Sequence, residues 1–241
     1  EPINWAETER ECQTLLQKSK DVRLIIILMR CRLRKVGLAA LAEGLEALHA
    51  LLCAWPDDLH PQLLDEGEFA PMLRANAFAE LEDANGLLAD LRNQPLPKAS
   101  GLQITIKEFE KAHQVPREEG ALSDTAMAAI IHEWQLNARD SLFPLTQAYG
   151  FLMEIKSMLA DTLGHDAPEF AVLGNLLVFF ANDFSGVTPA PAVSPPIVED
   201  ETPQVQEIAE RPVGVAPAAV DLPLAAPPAV AEARRGIDSR A

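Results

Sequence analysis

Leu38, Leu41, Leu45, Leu48, Leu52 and Trp55 advance by three or four residues, which aligns them on one face of a single helix and requires that face to be covered. Pro56 ends the helix, because a proline removes a backbone donor and crowds the preceding turn. Gly44 in its middle costs about 1 kcal/mol relative to alanine, and close approach of another helix is the usual compensation. The preceding stretch, Asp21 to Lys35, is expected to supply that helix. Its Leu24–Met29 run is apolar on every side and is compatible with a buried strand, and Arg30 to Val36 even alternates. Length, helical neighbours and Gly37 as a left-handed C-cap favour a central helix wrapped by others.

Helical signals continue on both sides. Asn4-Trp5-Ala6-Glu7 fits a capping box, so a first helix should run to about Gln17. Asp57 to Phe69 reads as a loop, after which Pro71 suits the first turn of a helix. Its stripe of Leu73, Ala77, Leu81, Ala84, Leu88 and Leu91 should continue to Pro95. Leu102 to Ile106 reads as extended, Thr105 to Glu108 as a second capping box, and Ser123 or Asp124 as the cap of a long segment. Pro144 should kink or break that segment at Arg139–Phe143, and a last helix is expected from Pro168 to Phe184. The fold class is therefore all-α, a compact domain of about eight helices with at most one short strand.

Composition divides the 241 residues: every aromatic side chain lies between Trp5 and Phe184, whereas ten of the 19 prolines follow Ser185. Residues 1–184 should form the helical domain. Residues 185–236 read as a disordered Pro/Ala-rich linker with too few large side chains to offset chain entropy. Residues 237–241 look like the start of a following helical domain, and a first residue of Glu instead of Met suggests a fragment or processed chain. Of the formal charge of −16, residues 185–241 carry −4 (eight acids, four bases), leaving −12 on the domain. That balance speaks against a general nucleic-acid binder, which needs clustered cations. Arg30, Arg32, Arg34 and Lys35 are a local exception, either a carboxylate-paired helix end or a contact for an acidic partner. No apolar run reaches the roughly 18 residues of a membrane span, so direct membrane insertion is not expected.

Candidate chemistry is sparse. His49, Cys53, Asp57 and His60 carry metal-ligating side chains, but the apolar stripe beside them favours a structural role, with His60 fixing its loop by bonding a backbone carbonyl. Asp57, Asp58, Asp65, Glu66 and Glu68 lack EF-hand spacing and read as a solvated acidic loop. Cys12, Cys31 and Cys53 read as small buried hydrophobes of a reducing compartment. No nucleophile motif or glycine-rich phosphate loop is present, and neither a catalytic residue, a cofactor nor a metal is expected.

Four blocks in order, K-D-V-R-L, G-L-A-A-L-A-E-G-L-E-A-L, W-P-D-D-L-H-P-Q-L-L-D-E and R-A-N-A-F-A-E-L, resemble the N-terminal ImpA-type domain of the TssA family of type VI secretion proteins. The matching positions include Asp21, Arg23, Gly37, Leu41, Gly44 and Leu45, then Trp55, Asp57, His60 and Pro61, then Arg74 and Asn76. The resemblance implies that these are structural residues. It also implies a non-enzymatic, cytoplasmic component associated with the secretion apparatus of a Gram-negative bacterium. Such a component helps baseplate assembly and the priming or capping of tail tube and sheath, and self-associates through a C-terminal domain that is missing here. The alternative is a helical metal-dependent hydrolase using the Asp57–Glu68 loop. Arg30, Arg34 and Lys35 are the positions expected to meet a partner, because they would orient an encounter with an otherwise acidic domain.

Overall fold

In the computed structural model, residues 2–184 are described; the expectations for 185–236 and 237–241 lie outside them. Helix α1 (Trp5–Leu16) starts at Asn4, whose side chain accepts from the Glu7 N–H at 3.3 Å. The return contact runs from the Asn4 amide to the Glu7 carboxylate, so only half of the expected box forms. Asp21 caps α2 (Val22–Val36) by accepting from the Arg23 N–H. The period-two stretch at its end is helical. Gly37 terminates it at φ 65° and ψ −141°, so the positive φ is as expected but the ψ is that of the extended, glycine-only region.

Helix α3 (Ala39–Ala54) buries Leu41, Leu45, Leu48 and Leu52 on one face, and Gly44 faces Met29 of α2. The predicted stripe ends one turn early, since Trp55 is 45% exposed. What reads as a loop from Asp57 to Phe69 contains a small antiparallel hairpin, β1 (Leu64–Asp65) and β2 (Glu68–Phe69). Positive φ at both Glu66 and Gly67 marks a two-residue type I′ turn.

The long helix expected from Pro71 to Pro95 is divided. Helix α4 (Pro71–Ala79) passes into a 3-10 turn at Glu80–Glu82, and α5 (Leu87–Arg92) begins only after Gly86. Asp83 is the reason: its carboxylate accepts from the Asn85 N–H at 3.1 Å, an Asx turn that competes with the helical ladder. The capping box at Thr105 forms in full and opens α6 (Ile106–His113). Ser123 caps α7 (Asp124–Asn137), and the next helix, α8 (Arg139–Leu163), starts after a break at Ala138. That break precedes Arg139–Phe143 by one residue, and Pro144 is accommodated in the second turn of α8. Helix α9 (Ala171–Phe184) follows Phe170, three residues later than expected.

The centre of the core belongs to α8. It packs against both α3 and α9, α3 packs on α2, and α2 on α1. Leu142, Leu145, Leu152, Ile155 and Leu159 of α8 are fully buried, whereas Leu24, Ile27 and Leu28 of α2 are only partly so. The Leu24–Met29 segment is thus one wall of the core. None of the described helices is long and apolar enough to cross a membrane.

Candidate interaction surface

The turn after α3 is held from three sides. The backbone of His60 accepts from the Val22 N–H at 3.0 Å and donates to the Lys20 carbonyl at 2.7 Å, tying the turn to the start of α2. Its backbone, not its imidazole, therefore supplies the anchoring expected of His60, and the side chain is exposed. Arg74 of α4 supplies the third tie. Its guanidinium is buried and donates to the carbonyls of Pro56 at 2.7 Å, Leu59 at 2.5 Å and Pro61 at 2.9 Å. Burial lowers the pKa of Arg74, an effect opposed by the charge of Asp57. Trp55 packs its ring under the Lys20 ammonium, 4.9 Å away.

At the cap of α2, Asp21 accepts from the Arg23 side chain through both carboxylate oxygens, at 2.6 and 3.0 Å. Burial would raise the Asp21 pKa, but the Arg23 bonds and charge, with a smaller effect of His60, hold it below the usual carboxylate range. Arg23 also lines an open groove of about 480 Å³, together with His60, Asn76 and Glu80 and with Leu64, Asp65 and Leu73. The motif residues of the sequence therefore separate into two groups. Gly37, Leu41, Gly44, Leu45 and Arg74 shape the scaffold, while Arg23, His60, Pro61 and Asn76 border the groove. Asp57 is exposed on the turn.

The basic end of α2 is engaged within the domain. Arg30 and Arg34 converge on Asp90 of α5, each at 2.6 Å, and Arg34 lies over the Trp5 ring at 3.5 Å. Burial again pushes the Asp90 pKa upward, but the bonds and charges of the two arginines outweigh it and lower the value. Lys35 pairs with Glu9, which is buried. Arg32 pairs with the exposed Glu43.

The possible ligand set after Leu48 does not converge. His49 Nε2 lies 3.1 Å from Glu154 and 3.6 Å from Cys53 Sγ, with Cys53 exposed instead of buried, while His60 sits across the turn at the groove. Among the described residues no group of three or more His, Cys, Asp or Glu side chains is placed to hold a metal ion. Cys12 and Cys31 are buried, which raises both thiol pKa values.

Sequence reasoning missed the hairpin and the clustering of large exposed side chains beside the groove. Leu64, Phe69, Met72 and Leu73 are each about half exposed or more. The available signal was Glu66-Gly67 enclosed by Asp65 and Glu68 and then by the apolar Leu64 and Phe69, obscured by strands only two residues long.

The domain is predominantly helical, with one small hairpin, and carries an open groove at its surface. Residues 1–83 match the family described as ImpA, N-terminal, type VI secretion system. Every residue of the groove falls within that segment. The fold is similar to the N-terminal domain, including the conserved ImpA_N region, of the TssA component of the type VI secretion system from Burkholderia cenocepacia. The identity is 20%, over 76% of this chain and 80% of that one, with a TM-score of 0.54. Comparison with curated proteins gives no match. The resemblance read from the four sequence blocks is thus found again, by the family match in residues 1–83 and by the fold of the described domain.

Proposed function

We propose that this chain is a non-enzymatic adaptor of a bacterial type VI secretion system, acting through protein contacts in the cytoplasm at the secretion apparatus. The match of residues 1–83 to an N-terminal type VI secretion family carries the reading, since the groove and its motif residues lie inside that segment. Its partners on this reading are baseplate, tail tube and sheath subunits, and its task is assembly of the baseplate with priming or capping of the tube and sheath. Self-association of the full-length protein would present several copies of the domain together and raise avidity through effective concentration. The basic end of α2 enters as an orienting charge, with Lys35 the most exposed of Arg30, Arg34 and Lys35.

Retention of purified baseplate, tube and sheath subunits on the immobilised chain tests the proposal. Binding of at least one subunit at micromolar concentration is expected; retention of none overturns it.

A further inference from the structure

The surface formed by the hairpin and the start of α4 combines exposed apolar side chains with charge of one sign. Leu64 and Phe69 are directly opposed across the hairpin, at 61% and 60% exposure. Opposed residues project to the same face of a ladder, so the two side chains form one apolar surface. In the first turn of α4, Met72 and Leu73 are 50% and 48% exposed, and Leu73 borders the groove together with Leu64. Scattered exposed leucines are ordinary, but four large apolar side chains exposed within ten residues, with Leu64 opposed to Phe69 and sharing a groove with Leu73, are a concentration of apolar surface of the kind that marks contact sites.

The surrounding charge is negative. From Pro56 to Leu73 there is no lysine or arginine, and Asp57, Asp58, Asp65, Glu66 and Glu68 are all exposed. Among the described residues none of these five carboxylates is in an ion pair, in contrast to the acids beneath the basic end of α2. Three cations of neighbouring elements have other contacts: Arg74 is buried under three carbonyls, Arg23 is bonded to Asp21, and Lys20 lies over the Trp55 ring. Two-residue strands have no stability of their own, so the protein holds this patch in place through α4 and the Ala70 N–H to Leu63 carbonyl bond, 2.8 Å long.

We propose that this face docks an amphipathic segment of a partner protein in which apolar side chains are flanked by lysine or arginine. The apolar side chains would cover Leu64, Phe69 and Leu73, while the flanking cations reach past the edge of the two-residue ladder to Glu66 at its turn and to Asp65 and Glu68, which are opposed on its other face. An anionic membrane surface or a nucleic acid brings the wrong charge, and a second copy of this face brings the same acids into opposition. The inference rests on the adaptor reading and assigns it a face and a partner chemistry.

The test uses the whole chain and two fluorescent helical peptides of about 18 residues with leucines at i, i+3, i+4 and i+7. One carries lysines on the flanking positions, the other glutamates. The lysine peptide is expected to bind, more weakly as salt rises. Phe69→Ser, and separately the pair Glu66→Lys and Glu68→Lys, should each weaken it at least tenfold, with unchanged circular dichroism because all three side chains are exposed. Equal binding of the glutamate peptide, or indifference of the lysine peptide to both variants, overturns the inference. So does a concentration-dependent dimer that Phe69→Ser abolishes, since a second copy would then be the occupant. The same variants are carried through the subunit retention experiment. If the unaltered chain retains a subunit and both variants retain it equally, the adaptor reading stands and this face is wrong. If the unaltered chain retains none, the adaptor reading falls whatever the peptides do.

Discussion

The Met29 side chain occupies the space that a Cβ on Gly44 would need, its Cε lying 2.8 Å from that position and the rest of the thioether closer still. This is where α2 and α3 approach, and the helix propensity lost at Gly44 is offset by that contact. Gly44→Ala gains about 1 kcal/mol in helix propensity but must displace a methionine that is itself buried. Overpacking of about 1–3 kcal/mol should prevail. Urea unfolding should show net destabilisation, and the double variant with Met29→Ala should lose less than the sum of the two single losses, because the side chain that the added methyl would strike is gone.

Arg74 concentrates three charge-assisted hydrogen bonds on one turn. Arg74→Met keeps much of the aliphatic volume but strands the carbonyls of Pro56, Leu59 and Pro61, and a loss of about 3 kcal/mol or more is expected. Arg74→Lys should recover only a minority of it, because an ammonium lacks the planar fork. Thermal melts of the two variants, compared with an exposed arginine control such as Arg10→Ala, check the order.

Acid should weaken the α2–α5 contact with a definite sign. The Asp90 pKa is lowered in the folded protein, so its stabilisation is fully present above the ordinary carboxylate range, near about pH 4, and is lost as pH falls through the lower folded value. Asp21 contributes with the same sign. In urea titrations from pH 7 to pH 3, Asp90→Asn should be less stable at neutral pH and lose less on acidification than the unaltered chain.

Charge reversal at the end of α2 tests stability before it tests binding. Lys35→Glu sets a second carboxylate against the buried Glu9 and should cost about 1–2 kcal/mol. Adding Glu9→Lys restores the pair with its polarity exchanged, and the double variant should recover most of the loss. Retention of secretion subunits by that double variant then reports on the surface charge alone: weaker retention supports a partner contact at Lys35, and unaltered retention excludes it.

The type I′ turn carries glutamate where Asn-Gly is preferred. Glu66 has φ 49°, and asparagine tolerates that region better. Glu66→Asn should stabilise the hairpin by a few tenths of a kcal/mol, visible as slower amide exchange at Ala70, whose N–H bonds to Leu63.

Local chemistry made much of the fold legible. Ser123 and Thr105 cap the helices that their spacing announces, and the leucines of α3 are buried as their periodicity requires. What escaped sequence reasoning depends on competition or distance. The stripe through Leu81 and Leu88 is helical in period, yet the Asp83 side chain turns the chain between them. The partner of Arg30 and Arg34 is Asp90, 60 and 56 residues away respectively, and nothing in the local pattern selects it. At the candidate face, Leu64 and Phe69 gave no periodic signal because their strands are too short to alternate.

The Arg74 clamp also bears on protein engineering. The shape of residues 55–61 is dictated by a side chain that arrives more than ten positions later, on a different helix. Grafting the Trp-Pro-Asp-Asp-Leu-His-Pro heptapeptide into another helical scaffold should therefore transfer its letters but not its form. The smallest transplantable unit runs at least from Trp55 through α4, and it brings the hairpin with it.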